Sequence, residues 1–293
     1  MNIVDLSTLS APDVLESVDF EDIYTEQLEV FTGLMGDGYT APLESDPAVK
    51  LLEVGAYRKM GNRARVNDAA KALMLPYAKG TDLEQLAARV NLKRLVVQEE
   101  DATTVPPTPR VMEEDDALRE RIQLRFEGLT TAGPRQSYIL HARNASALVA
   151  DATAESPSPA TVVLTILGLQ GDGSVGQELL DSVQAYVSDD DVRPLGDRLI
   201  VKGAQILPYS IKAILHPDGT GAESEVMLTE ARKRLKAWIN PRRRLGIEVA
   251  RSAVDAQLHL AGVRRVELVG WQDLTPSKEQ AAYCTGYDVQ LGV

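Results

Sequence analysis

Cysteine, aromatic residues and long apolar runs are all scarce in this 293-residue chain. Its single cysteine, Cys284, excludes a disulfide within the chain and any cysteine-rich zinc or iron–sulfur site, and it fits folding in a reducing cytoplasm. Aromatic residues make up 5% of the chain, so the core must be built from Leu, Val, Ile and Ala. No apolar run approaches the roughly 20 residues that span a bilayer, and the N-terminus lacks the basic region of a signal peptide.

Basic residues are also missing from positions 1–49, which hold eleven acids. The net charge of the chain is −12, so the remainder is close to neutral. The opposite bias occurs at 230–244, EARKRLKAWINPRRR, with seven basic residues and one acid. Eleven like charges disfavour independent folding, so we expect the acidic segment, including Asp19, Glu21 and Asp22, to dock onto another surface.

Two amphipathic helices are predicted in the first third of the chain. The first starts at Ser10 and carries an apolar stripe at helical spacing; the stripe comprises Phe20, Tyr24, Leu28, Phe31 and Met35. The second opens at Asp46–Pro47 and extends to about Tyr77, with Leu52, Ala56 and Met60 on its apolar side. Gly80 is interpreted as its C-terminal cap, and a short helix follows to about Arg89. Packing against other chains and a hairpin within the chain are equally compatible with this pattern.

The rest of the chain indicates an α+β class, with a helical, bundle-forming N-terminal region followed by small α/β sandwich domains. Residues 98–116 are polar and proline-rich and are predicted to be a linker or extended connection. We divide the chain into a helical region with an acidic arm (1–95), a linker and helical middle region (96–150), a first α/β domain (151–215) and a second α/β domain (216–293).

The sequence GDGSVG at 171–176 matches the glycine pattern of a dinucleotide-binding turn between a strand and a helix. That site needs an acid at the end of the next strand to hold the ribose, and the strand ends in Gln205-Ile206-Leu207-Pro208. We therefore reject a dinucleotide cofactor. An α/β enzyme that binds a phosphate ligand through Gly171, Gly173 and Gly176 is the alternative function.

No catalytic, cofactor or metal site is predicted. The three histidines, His141, His216 and His259, are far apart in the sequence, and Asp255 with His259 offers two ligands without a third. No nucleophile motif accompanies them or Cys284.

The basic segment 230–244 has three interpretations: a nucleic-acid patch, a solvated helix face and a contact with an acidic partner, such as the N-terminal segment of another copy. The acidity of the whole chain disfavours the first. The arginines proposed for a protein contact are Arg232, Arg234, Arg242, Arg243 and Arg244.

Five collinear segments carry a resemblance that covers about residues 3–290. They are APDVLESVDFEDI, DPAVKLLEVGAYRKMGNRARVNDAAKALMLPYAKGTDLEQLAARVNLKR, TTVPPTPRVMEEDDALRERIQLRFEGL, DDDVRPLGDRLIV and RRLGIEVARSAVDAQLHLAGVRRVEL. Together they resemble the baseplate assembly protein J family of contractile phage tails, a lineage that includes R-type pyocins.

The resemblance implies a structural role in the baseplate wedge, with no catalytic residues to carry over. It implies two non-equivalent copies with one tail protein I in each wedge, N-terminal helices in a shared bundle, and α/β domains that join neighbouring wedges into a sixfold ring. A lysozyme-like sheath-initiating protein would contact the wedge, and wedge rearrangement would trigger sheath contraction. Assembly in the bacterial cytoplasm is implied, and no nucleic acid or membrane is expected as a partner.

Overall fold

The structure, a computed structural model, describes residues 6, 9–10, 12–36, 43, 45–125, 133–190, 192–219, 222–240 and 243–292. The chain divides into two compact units, Met1–Arg94 and Leu95–Val293, which we call the N-terminal and C-terminal units.

The N-terminal unit consists of helices α1 (Phe20–Met35), α2 (Pro47–Ala72) and α3 (Gly80–Arg89). The predicted start at Ser10 is wrong, because the Asp19 side chain caps α1 by accepting from the Asp22 N–H. The predicted start at Asp46–Pro47 is confirmed, with Asp46 accepting from the Ala48 N–H. Gly80 opens α3 instead of capping α2, which ends five residues before Tyr77 at Ala72.

The α1–α2 pair is an antiparallel hairpin. Gln27 approaches Gly55, and Glu26 pairs with Lys59. The segment before α1 binds further along α2, where the Asn67 amide donates to the Glu16 carbonyl at 2.8 Å and accepts from the Glu16 N–H at 3.0 Å. Ile23 and Ala56 are fully buried in the unit.

The predicted linker at 98–116 is largely a β-hairpin. Strands β1 (Val96–Gln98) and β2 (Val111–Met112) are antiparallel, and an Asp101–Thr108 bridge extends the pair toward the tip. The Asp101 carboxylate accepts from the Thr103 N–H at 2.8 Å, so side-chain hydrogen bonds order a stretch whose prolines suggested an extended chain.

The first α/β layer of the C-terminal unit follows α4 (Asp115–Leu124) and α5 (Arg135–Ala145). Its sheet has the order β3–β4–β5, formed by β3 (Val149–Ser158), β4 (Thr161–Gly168) and β5 (Arg198–Gly203). Strands β3 and β4 are antiparallel, whereas β4 and β5 are parallel. Helix α6 (Gln177–Val187) makes the β4–β5 crossover and packs with α5 against the sheet.

The second layer begins after a single intervening residue, Ala204. Its sheet has the order β7–β6–β8, formed by β6 (Gln205–Pro217), β7 (Val263–Leu268) and β8 (Gln280–Leu291). Helices α7 (Ala222–Trp238) and α8 (Arg251–Leu258) cover it around a core that includes Ile211, Leu215 and Leu235.

The mixed α+β class is confirmed. Apolar spacing and Gly/Pro turns in the sequence predict helices at the positions of α4, α5, α6, α7 and α8 and strands at those of β4, β5, β6 and β7, and all of these elements are present. Strands β3 and β8 were not predicted. Within the described ranges, none of the helices has the length and apolar character needed to cross a bilayer.

Candidate interaction surfaces

The predicted apolar stripes of α1 and α2 lie in the hairpin within this chain. Ala56 is buried, Met35 is exposed, and the other stripe residues are half-buried, so each of these keeps part of its surface in solvent. The half-buried residues are Phe20, Tyr24, Leu28, Phe31, Leu52 and Met60. The Phe20 and Tyr24 rings stack with centroids 6.0 Å apart. That these residues contact other chains therefore stays a prediction, and it concerns only the exposed parts of their side chains.

The acids of the hairpin lie mainly on α1 and its bases mainly on α2. Helix α1 carries four acids and no base, whereas α2 carries six bases and two acids. Lys59 lies 2.9 Å from Glu26, and Arg63 lies 2.8 Å from Glu16. The hydrogen bond from Lys59, with its charge, lowers the pKa of Glu26. Glu21 and Asp22 are exposed in the first turn of α1, where acids stabilise the helix terminus.

An exposed apolar surface, which sequence reasoning missed, lies on α2 opposite α1. We call it the outer face of α2, and at helical spacing it comprises Leu51, Val54, Tyr57 and Gly61. Leu51 is 72% exposed and Tyr57 is 66% exposed. On α1, Leu34 is 82% exposed. In the sequence, this surface was indicated by a second series of apolar residues on α2, spaced three and four residues apart.

The two glycines inside α2 differ in their surroundings. A Cβ at Gly55 would lie 3.1 Å from the Gln27 Oε1 of α1, so the close approach of the helices within this chain accounts for that glycine. A Cβ at Gly61 would meet no atom of the described residues within 4 Å. A glycine in a helix interior costs up to about 1 kcal/mol relative to Ala, and no contact among the described residues of the N-terminal unit accounts for Gly61.

The basic segment 230–244 contributes mainly to contacts inside the C-terminal unit. Arg232 donates to the Val289 carbonyl of edge strand β8 at 2.6 Å. Arg244 lies 2.9 Å from Glu120, which Arg143 also contacts at 2.7 Å. Although burial raises it, these two guanidinium groups hold the pKa of Glu120 below its usual value. Arg234 is exposed, and Arg242 lies outside the described residues.

Arg243 occupies the glycine-rich loop that was the candidate phosphate site. Its guanidinium donates to the Gly171 carbonyl at 3.0 Å and to the Gly168 carbonyl at 3.2 Å. Gly173 adopts a φ of +96°, and a Cβ there would lie 3.1 Å from the Arg243 Nε. The glycines thus provide the positive φ and the space that an arginine from the second layer requires.

A phosphate cradle needs backbone N–H groups directed at the ligand, and several N–H groups of the same loop already have partners. Within 168–176, all of which is described, the Gly168 and Gly173 N–H groups bond to loop carbonyls, and the Ser174 N–H bonds to the Asp172 carboxylate. The carbonyls of Gly168, Leu169 and Gly171 accept from Arg243. Binding of a phosphate ligand at this loop stays a prediction.

The remaining candidate residues are scattered. The ring of His141 on α5 lies 6.3 Å from the Tyr186 ring, His216 contacts Arg265, and the His259 N–H donates to the Asp255 carbonyl. Cys284 is buried in the second layer. Among the described residues, no three His, Cys, Asp or Glu side chains lie close enough together to hold a metal ion.

Two regions of the chain match models of known protein families. The family model described as the Baseplate J-like N-terminal domain matches residues 44–101, which include α2 and its outer face. The model described as the Baseplate J-like central domain matches residues 130–203, which include the first sheet. The Baseplate protein J of Escherichia phage P2 is 43% identical over 299 residues, covering 100% of this chain and 99% of that relative.

Proposed function

Because this chain belongs to the baseplate J family, we propose that it is a wedge protein in the baseplate of a contractile phage tail or R-type pyocin. Its role in the phage baseplate is structural. In the finer assignment, two non-equivalent copies assemble with one tail protein I, and the wedges join into a sixfold ring. The lysozyme-like sheath-initiating protein contacts the wedge, whose rearrangement triggers sheath contraction.

The observation that supports assembly most directly is the outer face of α2. Helix α2 has 26 residues, a length of about 39 Å at 1.5 Å per residue, and one side of it is occupied by α1. The opposite side exposes Leu51, Val54 and Tyr57 around an open glycine. Full burial of such side chains contributes about 1.5–3 kcal/mol each.

Gly61 supports a helix as the partner at this face. A residue without a Cβ lets a second helix backbone approach closely, which side chains at the same position would prevent. Arg58 and Arg65 lie on the same side and are exposed, whereas Glu21 and Glu29 are exposed on α1. Bases on one helix and acids on the other favour a bundle in which hairpins from different chains alternate in charge.

The two layers of the C-terminal unit suit a ring component, because several contacts join them. Asp151 accepts from the Leu245 N–H at 2.9 Å, and Thr153 donates to the Lys278 carbonyl at 2.7 Å. Leu167, Leu245 and Ala281 form a small core at the junction. We expect a unit braced in this way to move as one body when the wedge rearranges.

Co-expression with tail protein I, followed by native mass measurement, tests this function. We expect a stable 2:1 complex that is lost with Leu51→Asp and Tyr57→Asp. Val226→Asp is the matched control, because Val226 is 71% exposed on α7 and belongs to the C-terminal unit. A monomer that does not bind tail protein I would refute the wedge assignment, and an intact complex with both variants would refute the role of the outer face.

A further inference from the structure

Strand β5 is an edge of the first sheet, and its outer backbone groups are unpaired. The Ala204 N–H donates to the Ile166 carbonyl of β4 at 2.8 Å, so the even-numbered residues of β5 direct their backbone groups to β4. Because these groups alternate in direction along a strand, those of Leu199, Val201 and Gly203 point outward. They form no hydrogen bond with any residue of the described ranges.

Side chains close the outer edges of β3 and β8. On β3, the Asp151 carboxylate accepts from the following N–H at 2.9 Å, and Arg135 donates to the Ala154 carbonyl at 2.9 Å. On β8, the Asn240 amide bonds both the carbonyl and the N–H of Cys284 at 3.0 Å. An edge that is not closed is a template for another strand, and β5 has no such closure among the described residues.

The side chains of β5 alternate between two environments. Leu199 and Val201 pack into the core of the first layer, so Arg198, Ile200 and Lys202 lie on the opposite, open face of the sheet. Ile200 is 43% exposed there. A strand added beside β5 would continue the alternation, with one set of side chains next to the core and the other set on the open face.

Charge selects an acid for the position beside Arg198. On the open face, Lys202 lies 2.6 Å from Glu279, and Glu155 of β3 lies 2.9 Å from Lys278. The acids on this face are therefore already paired with bases. Arg198 forms no ion pair within the part of the chain that the structure describes, so the open face at β5 has an excess of positive charge.

The acids of the turn before β5 lie on the helix side of the sheet. The Asp197 carboxylate accepts from the buried Tyr138 hydroxyl of α5 at 2.6 Å, and Asp189 and Asp190 follow the end of α6. Together with Arg193, they leave that side acidic. A strand fits this edge when its acids point to the open face and its apolar residues point to the helices.

A second copy of β5 does not fit the edge. The strand contains no acid from Arg198 to Gly203, so two β5 edges would place Arg198 beside a base or an uncharged residue in either strand direction. Like charges opposite each other destabilise a strand pair. The charge on the open face therefore favours a strand of different sequence.

We propose that an extended segment of another baseplate protein, with acidic and apolar residues at alternating positions, joins the first sheet as a strand at the edge of β5. An acid of this segment faces Arg198, and its backbone bonds to Leu199, Val201 and Gly203. This inference rests on the proposed function, because baseplate assembly brings the partner to the edge.

Amide hydrogen exchange in the free chain and in purified particles tests the contact. The N–H groups of Leu199, Val201 and Gly203 should exchange at least about 100-fold more slowly in particles, because new hydrogen bonds protect them. Unchanged exchange in particles that contain the chain would overturn the contact. Particles that lack the chain would instead overturn the proposed function.

Two variants distinguish strand addition from simple covering of the edge. Arg198→Glu reverses the charge, and Val201→Pro removes an outward N–H while keeping the bonds to β4. Each should lower incorporation into particles at least about tenfold, whereas Arg198→Lys should not. Val266→Pro, at the edge strand β7 of the other sheet, and Arg234→Glu, exposed on α7, are the matched controls.

Thermal melts of the isolated variants show whether each one folds. If Val201→Pro does not fold, the Arg198 variants still decide the outcome. Normal incorporation of Arg198→Glu, or equal losses in Arg234→Glu, would overturn the contact.

A photo-cross-linker attached to Ile200→Cys identifies the partner in particles. The native Cys284 is 4% exposed and does not compete for the maleimide label. We expect a product with a protein of another mass, joined at a segment with acids at alternating positions. A covalent dimer of this chain would overturn the proposal, because it would show that a second copy occupies the edge.

Discussion

The Arg243 guanidinium donates a 3.0 Å hydrogen bond to the carbonyl oxygen of Gly171, which lies 72 residues earlier in the chain. It also lies 5.3 Å from the centre of the Tyr283 ring, so one side chain contacts both layers of the C-terminal unit. The glycine-rich loop therefore binds the side chain of Arg243.

Arg243→Ala should lower the free energy of unfolding by about 2 kcal/mol, because it leaves carbonyl groups of the loop without a charged donor. Urea denaturation followed by tryptophan fluorescence measures the change. Gly173→Ala should also destabilise, since φ is +96° and the new methyl group would meet Leu167 and Arg243. Gly176→Ala is the control, because a Cβ there would meet no described atom within 4 Å. Equal losses of stability in the two glycine variants would contradict the role of Gly173 in accommodating Arg243.

Gly61→Ala should affect the isolated chain and the complex in opposite directions. The isolated chain gains up to about 1 kcal/mol from the better helix former, seen as a higher Tm. Binding to tail protein I should weaken, because the methyl group holds the partner helix away. Gly55→Ala is a contrasting variant, since its Cβ meets Gln27 of the same chain. Unchanged binding by Gly61→Ala would place the partner elsewhere.

The buried ion pair between Arg121 and Glu113 should be essential for folding of the C-terminal unit. A guanidinium nitrogen of Arg121 lies 2.6 Å from a carboxylate oxygen of Glu113, and the two side chains are 3% and 5% exposed. Glu113 also accepts from the Leu95 N–H. Glu113→Ala removes the carboxylate that pairs with a buried guanidinium and should cost about 3–5 kcal/mol, measured by chemical denaturation. Glu99→Ala, in a pair with 73% and 52% exposed side chains, should cost less than about 1 kcal/mol.

His141 should make stability depend on pH. Burial, with the nearby charge of Arg125, lowers the pKa of His141 in the folded chain. The unfolded chain, with a histidine pKa of about 6.5, then binds more protons, so stability falls as the pH drops below that value. Thermal melts between pH 5 and 7.5 should show this fall, and His141→Gln should reduce it. An equal reduction by exposed His259→Gln would contradict the assignment.

Local patterns in the sequence were sufficient for many elements. Helix α2 starts at Asp46–Pro47 because the Asp46 side chain caps its first turn and the ring of Pro47 fixes a helical φ. Both effects act within one turn. Helix α6 and strand β4 follow from apolar spacing alone. Strands β3 and β8 were missed because their alanines, serines and Gly286 have weak strand preference, and pairing with distant strands overrides it.

The interaction surfaces depended on the tertiary structure. Composition determined an acidic N-terminal segment and a basic segment at 230–244, because charge is a property of residue type. Which charges are already paired is decided by residues far apart in the chain, such as Arg244 with Glu120. The sequence displayed two apolar series on α2, and only the position of α1 decided that Ala56 is buried and Leu51 is exposed. Burial depends on which surfaces meet, and no local pattern contains that information.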